Sequence, residues 1–177
     1  MSFDFTIIES NKISGLKQIL LSSFTDHRGA LFSFFDKDIT NRILPNDLNF
    51  EHVKFANNNA GTLRGIHGDF KSWKLVMLIS GNIEQVAVDN RKDSPTYKAV
   101  DNVLLNADQE PRALLLPPGV GNGFLSITKS VYCYALAYGG DYSDFDDQFS
   151  LKWNDNDLKI PWESKIHNPI MSDRDRY

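Results

Sequence analysis

His67 closes the stretch Leu63-Arg64-Gly65-Ile66-His67, and Lys74 follows seven residues later at the head of a run of β-forming residues. One base, one guanidinium and one ammonium are thereby placed on what read as neighbouring strands. A histidine can take a proton near neutral pH. An arginine can grip phosphate through two parallel hydrogen bonds, and a lysine can neutralise an oxyanion as it develops. Such a trio suits removal of a proton next to the carbonyl of a phosphorylated compound. Alone it is a weak signal, because a single histidine at a strand end is more often structural.

These side chains need a scaffold, and composition limits which. The chain has 177 residues, of which 41% are hydrophobic and 12% aromatic. That is enough for one domain over 1–177 that buries roughly 70% of its unfolded surface. Cys133 is the only cysteine; it sits between Tyr132 and Tyr134 and reads as a small buried hydrophobe in a reducing, cytoplasmic setting. Residues 1–9 lack a basic leader, and no segment approaches the apolar length of a membrane span. The formal charge of −4 argues against a nucleic-acid partner, yet allows an anionic small ligand in a local basic cluster.

Period-2 apolar patterns dominate the chain. They predict strands over 3–9, 16–24, 30–35, 49–56, 62–67, 74–80, 83–89, 97–104, 113–116, 123–127 and 131–137. Between them lie turn-forming clusters such as Asp26-His27-Arg28-Gly29, Ser80-Gly81-Asn82 and Pro117-Pro118-Gly119. Only 37–44 reads as helix, with a second short helix expected near the C-terminus. The pattern is all-β, a closed or double-sheet architecture such as a jelly roll.

Beyond these patterns, a set of motifs runs in order from about residue 26 to 175: the Arg64 to His67 stretch, Trp73-Lys74-Leu75-Val76, Val86-Ala87-Val88-Asp89, Asp93-Ser94-Pro95-Thr96, Pro117-Pro118-Gly119, Gly123-Phe124, Trp153-Asn154-Asp155 and Met171-Ser172-Asp173-Arg174-Asp175. Together they resemble the dTDP-4-dehydrorhamnose 3,5-epimerase family. The resemblance implies a cupin-type jelly roll, usually a homodimer, that acts without metal or organic cofactor on a nucleotide-linked 4-keto sugar.

It also implies roles for residues. A carbonyl at sugar C4 acidifies the hydrogens at C3 and C5, so inversion needs a base on one ring face, a proton donor on the other, and a stabiliser for the enolate oxygen. His67 matches the base and Asp175 the carboxylate that orients it, with Asp173 two residues away as a rival. Tyr134 matches the donor, its phenolate to be steadied by a cation such as Lys74. Tyr132 reads better as core, and Tyr138 is a weaker candidate. Lys74 matches a lysine near the enolate oxygen, and Arg64 matches an arginine facing substrate.

Two departures stand out. Where the family has a second active-site histidine, this chain has Asn122, which can donate a hydrogen bond but cannot carry a proton charge. After Asp26-His27-Arg28-Gly29 the family brings a phenylalanine and a glutamate to the thymine base; here the chain continues Ala30-Leu31-Phe32-Ser33. Arg28 still fits a diphosphate contact, while the base pocket reads as rebuilt. The expected substrate is therefore a GDP-linked 4-keto-hexose or 4-keto-heptose of surface-polysaccharide pathways, such as capsule synthesis. Rival readings are a sugar-nucleotide 3,4-ketoisomerase and a non-catalytic sugar-nucleotide-binding cupin. A metal cupin is disfavoured because His27, His52 and His167 lie in segments unrelated to His67. The alternating Phe3, Phe5 and Ile7 are expected to cover the sheet edge of a partner copy, from which Arg28 would reach the neighbouring ligand.

Overall fold

Alternating apolar and polar residues let each strand bury one face, and a chain of many such strands buries most surface by folding into two facing sheets. The computed structural model describes residues 4–143, 146–164 and 168–176. In chain order its strands are β1 (Phe5–Glu9), β2 (Lys17–Leu21), β3 (Ser23–Asp26), β4 (Gly29–Phe32), β5 (Phe50–Asn58), β6 (Leu63–Gly68), β7 (Trp73–Ser80), β8 (Asn82–Asp89), β9 (Val100–Asn106), β10 (Arg112–Leu116), β11 (Val120–Ser126), β12 (Ser130–Ala137) and β13 (Phe149–Ser150). A six-stranded sheet has the order β1-β2-β10-β7-β12-β5, a five-stranded sheet the order β13-β6-β11-β8-β9, and β3-β4 form a separate hairpin. This is the expected jelly-roll sandwich.

The sandwich interior takes the inward residues of both sheets, among them Val76, Leu78, Leu114 and Tyr132 from one and Ile83, Ala87, Val120 and Phe124 from the other. The outer face of the six-stranded sheet carries Leu75, Met77, Leu115 and Ala135 under helix α1 (Lys37–Ile43), which contributes Ile39 and Ile43. Asp36 caps that helix, its side chain accepting from the Ile39 N–H at 2.9 Å, and Pro45 follows immediately after Leu44 where the chain leaves it. The outer face of the other sheet buries Ile66, Val86 and Val88 beneath Leu151, Leu158, Ile160 and Trp162 of the C-terminal segment. Glu84, fully buried on that face, accepts from the backbone N–H groups of Glu163 and Ser164 and so anchors the segment.

Asp89 ends β8 and organises the loop that carries Asp93-Ser94-Pro95-Thr96. It accepts from Arg91, Ser94 and Thr96. Burial pushes its carboxyl up, but these donors outweigh it and hold the pKa at about 2.

Several expected boundaries move. The strand predicted over 16–24 breaks in two at Ser22, whose N–H turns to the Asp4 carbonyl. The strand predicted from 123 begins at Val120, and β13 was not expected at all. The second helix is a single 3-10 turn, Asp173–Asp175. Among the described residues no helix is long and apolar enough to cross a membrane.

Candidate active site

A cavity of about 350 Å³ opens between the two sheets. β6 and β7 are consecutive in the chain but belong to opposite sheets, which corrects the expectation of neighbouring strands. His67 and Arg64 therefore face Lys74 across the sandwich, an arrangement that encloses a ligand instead of lining one flat surface.

Arg64 and His67 are three residues apart, so on a regular strand they would point to opposite faces. Both line the cavity. The cause is a bulge: Asn122 of β11 pairs with His67 but Phe124 pairs with Arg64, so three steps on β6 answer two on β11. Gly65, inside the bulge, also makes room. A Cβ there would land on the Asp175 carboxylate and the His67 ring, so only glycine lets these two meet.

They meet at 2.6 Å, His67 Nε2 to Asp175 Oδ1. Burial pushes the Asp175 carboxyl up, but the hydrogen bonds from His67, Ser172 and the Gly65 N–H outweigh it and hold it below the usual carboxylate range. An ionised carboxylate only accepts, so Nε2 carries a hydrogen, and in the neutral ring the lone pair is then on Nδ1. Nδ1 meets the hydroxyl of Ser150 at 3.0 Å, and Arg174 Nε donates to that same hydroxyl oxygen at 3.3 Å. The rival Asp173 instead faces Arg176 at 3.5 Å, its side chain 93% exposed.

On the opposite wall, Lys74 is buried and pairs with Asp69 at 2.9 Å. Burial pushes the ammonium below its ordinary value, and Asp69 only partly restores it. Asp69 itself is pushed up by burial and pulled further down by Lys74 and Ser72, so it stays ionised. Tyr134 lies on β12 beside these groups. Burial raises its phenol, and the charge that opposes this is that of Arg64, not of Lys74 as expected. Arg64 is itself held in place, its Nε donating to Asn58 Oδ1 at 2.7 Å, while Asn58 is pinned to the Ala56 carbonyl and Ser130. Among the described residues the Tyr134 hydroxyl has no hydrogen-bond partner, and the residue faces the cavity. Tyr132 is 1% exposed and commits its hydroxyl to Gln85 Oε1 at 2.8 Å; Tyr138 bonds His52 at 3.1 Å.

Not every expected residue converges. Arg28 sits on the β3–β4 hairpin with its side chain 80% exposed and is paired with Asp26; it does not line the cavity. Among the described residues no three histidine, cysteine, aspartate or glutamate side chains gather as a metal site; His167 lies outside the described residues.

The family model described as dTDP-4-dehydrorhamnose 3,5-epimerase matches residues 10–177. The chain belongs to that family. Its fold superposes with TM-score 0.87 on dTDP-6-deoxy-D-glucose-3,5-epimerase from Legionella pneumophila, solved in complex with dTDP-4-keto-L-rhamnose, at 27% identity over 98% of this chain and 90% of that one. The dTDP-4-dehydrorhamnose 3,5-epimerase of Bacillus anthracis, with TDP and PPi bound, gives TM-score 0.85 at 31% identity, covering 98% and 97% of the two chains. A dTDP-4-dehydro-6-deoxyglucose 3-epimerase of a Streptomyces species is 31% identical over 155 residues, 86% of this chain and 77% of that one.

Within this epimerase family chain, the structure adds site residues that the sequence reading passed over. Arg174 and Gln148 line the His67 side of the cavity, Ser150 bonds His67 and Arg174, and Asp69 holds Lys74. Lys54 pairs with Tyr134 across β5 and β12; burial first, then Lys74, lower its ammonium. A usable signal existed in β8, where Ile83-Glu84-Gln85-Val86-Ala87-Val88 is apolar at both parities, so a strand buried on both faces would have to find partners for Glu84 and Gln85.

Proposed function

We propose that the protein, acting as one unit over residues 1–177, epimerises a nucleotide-linked 4-keto sugar at C3, C5 or both through an enolate. One observation carries this reading: a histidine–carboxylate pair on one wall of a cavity faces a tyrosine on the other whose hydroxyl has no partner among the described residues. When the sugar enters, the Ser150 hydroxyl turns away and His67 Nδ1 takes the C–H proton. The electron pair passes into the C4 carbonyl, whose oxygen becomes an enolate stabilised by Lys74 and Asn122. Tyr134 then returns a proton from the opposite face. Asp175 steadies the imidazolium without itself taking the proton.

The nucleotide in this reading is GDP, joined to a 4-keto-hexose or 4-keto-heptose. The support is the hairpin, where Ala30 and Ser33 stand in place of the family's base-contacting phenylalanine and glutamate; alanine has no ring to stack and serine lacks the reach. The matched relatives are named for dTDP sugars, so the test must contrast the two. Proton NMR in D₂O with GDP- and dTDP-linked 4-keto-6-deoxy sugars is expected to show deuterium entering C3 or C5 of the GDP sugar at least about tenfold faster, a difference of about 1.4 kcal/mol. Equal or faster exchange of the dTDP sugar overturns the nucleotide assignment, and exchange into neither overturns the epimerase reading.

The same reading makes the protein a homodimer. Of the N-terminal residues expected at the dimer contact, Phe3 lies outside the described residues and Phe5 is covered within its own chain, under the Arg42 guanidinium at 4.2 Å; a second exposed apolar surface is also available. On the outer face of the six-stranded sheet, near the β5 edge, Val53, Phe55 and Ile79 are 46%, 64% and 42% exposed. Covering that face with a second copy protects the edge strand and allows the partner's hairpin to bring Arg28 to a diphosphate. Light scattering should give twice the 20.1 kDa chain mass; a fully active monomer would rule the dimer out.

A further inference from the structure

Gln85 is polar where its strand should be apolar. Ile83 and Ala87, two residues to either side, belong to the core between the sheets, and Gln85 is 1% exposed. Its amide is satisfied at both ends. Nε2 donates to the carbonyls of Val86 at 3.3 Å and Gly123 at 3.2 Å, and Oε1 accepts from the Tyr132 hydroxyl at 2.8 Å. A carbonyl can only accept, so the end of the amide that meets the Val86 and Gly123 carbonyls must be its NH₂, and the oxygen is left to accept from the Tyr132 hydroxyl.

That fixed orientation reaches one residue further. The two Nε2 hydrogens of Gln85 are shared among three acceptors, the third being Oδ1 of Asn122, and the Tyr132 hydroxyl lies 3.3 Å from the same oxygen. Asn122 must therefore hold its oxygen toward Gln85, which turns its NH₂ the other way. Asn122 lines the cavity and pairs directly with His67 across β11 and β6. Among the described residues nothing accepts a hydrogen bond from its Nδ2.

We infer that Gln85 is a positioning residue: it locks the Asn122 amide with its NH₂ facing the cavity, making a neutral donor for the sugar carbonyl oxygen as that oxygen becomes an enolate. The role rests on the epimerase reading above. Such a donor is aligned before the substrate arrives, as effective oxyanion stabilisers are. Unlike an imidazole at the same place, it does not titrate, so this contribution is constant with pH.

Gln85→Glu is the discriminating variant. A carboxylate only accepts, so it draws the Asn122 NH₂ inward and leaves Oδ1 pointing at the enolate. The expected result is a fall in kcat of about 10²-fold with KM changed less than about threefold. A buried glutamate titrates above its ordinary range, so the ratio of variant to parent kcat should rise as pH falls and the introduced carboxyl gains a hydrogen to donate. Gln85→Leu, which neither locks nor reverses the amide, should lose less and keep a ratio flat with pH. A Gln85→Glu protein with parent kcat, or with a pH-flat loss like that of Gln85→Leu, overturns the proposal. Side-chain amide NMR on ¹⁵N-labelled protein decides the geometry without any turnover. In the parent, the Gln85 NH₂ should exchange slowly and the Asn122 NH₂ rapidly with solvent, and in Gln85→Glu the Asn122 NH₂ should become protected. Protection of the Asn122 NH₂ already in the parent refutes the lock. Fast exchange there, with no sugar turned over, would instead fault the epimerase reading alone.

Discussion

Replacing His67 by asparagine is expected to abolish deuterium uptake into the sugar, a loss of about 10³-fold for removing a positioned base, while the protein stays folded. The side chain is 21% exposed at the cavity wall and is not part of the packed core. Asp175, deprived of the imidazole, keeps the Ser172 hydroxyl at 2.9 Å and the Gly65 N–H, so no bare charge is buried. Asparagine can still donate to that carboxylate but has no lone pair basic enough to hold a proton. Asn122 is equally unable to substitute. Exchange by a folded His67→Asn protein at the parent rate would remove His67 from the mechanism and leave the cavity without an obvious base.

Much of this could be read from the chain, and the failures have physical causes. Strands with one fully buried face, such as β2 with Ile19 and Leu21 buried and Gln18 and Leu20 half-buried, announce themselves by alternation, while β7 and β12, buried on both faces, show as continuous apolar runs. The start of β11 does neither: in Val120-Gly121-Asn122-Gly123-Phe124 two glycines and an asparagine read as loop. They form strand by pairing with β6 and β8, and the glycines are needed because Cβ atoms at Gly121 and Gly123 would crowd Ile66 at 2.8 Å, a packing demand made by a strand distant in sequence. The error mattered, since it is the longer strand that sets Asn122 opposite His67. Sheet membership was likewise hidden. Nothing local in 62–80 says that β6 and β7 part into different sheets, and only that parting makes a cavity of residues that otherwise form a stripe. The bulge that brings Arg64 round to the His67 side is invisible to period counting for the same reason.

The motif residues fared differently. His67 and Asp175 are 108 positions apart and meet at 2.6 Å; their association came from resemblance alone, because no spacing rule links a strand end to a C-terminal turn. Arg28 shows the opposite limit. Its motif is intact, yet within its own chain it is bound to Asp26 and does not line the cavity, so its proposed use depends on a second copy.

Tyr134→Phe should separate the two halves of the reaction. Inversion needs a proton to leave from one ring face and return to the other, and the walls bearing His67 and Tyr134 are those of opposite sheets. Burial raises the Tyr134 phenol, which keeps it protonated and ready to donate at neutral pH. The Arg64 charge opposes that rise, so the phenolate left after donation is not stranded. Other tyrosines are poorly placed to donate. Tyr132 is pushed far up by burial and has its hydrogen committed to Gln85, and Tyr138 is engaged with His52. Phenylalanine preserves the ring and its packing and deletes only the transferable proton. The variant is therefore expected to wash deuterium into C3 or C5 through His67 with configuration retained, while inverted product falls by about 10²-fold or more. NMR of the sugar in D₂O reads both rates in one sample. Inversion at the parent rate would assign the second proton to another donor, with a water in the cavity the next to test. Loss of exchange together with inversion would mean that Tyr134 serves the enolisation step itself.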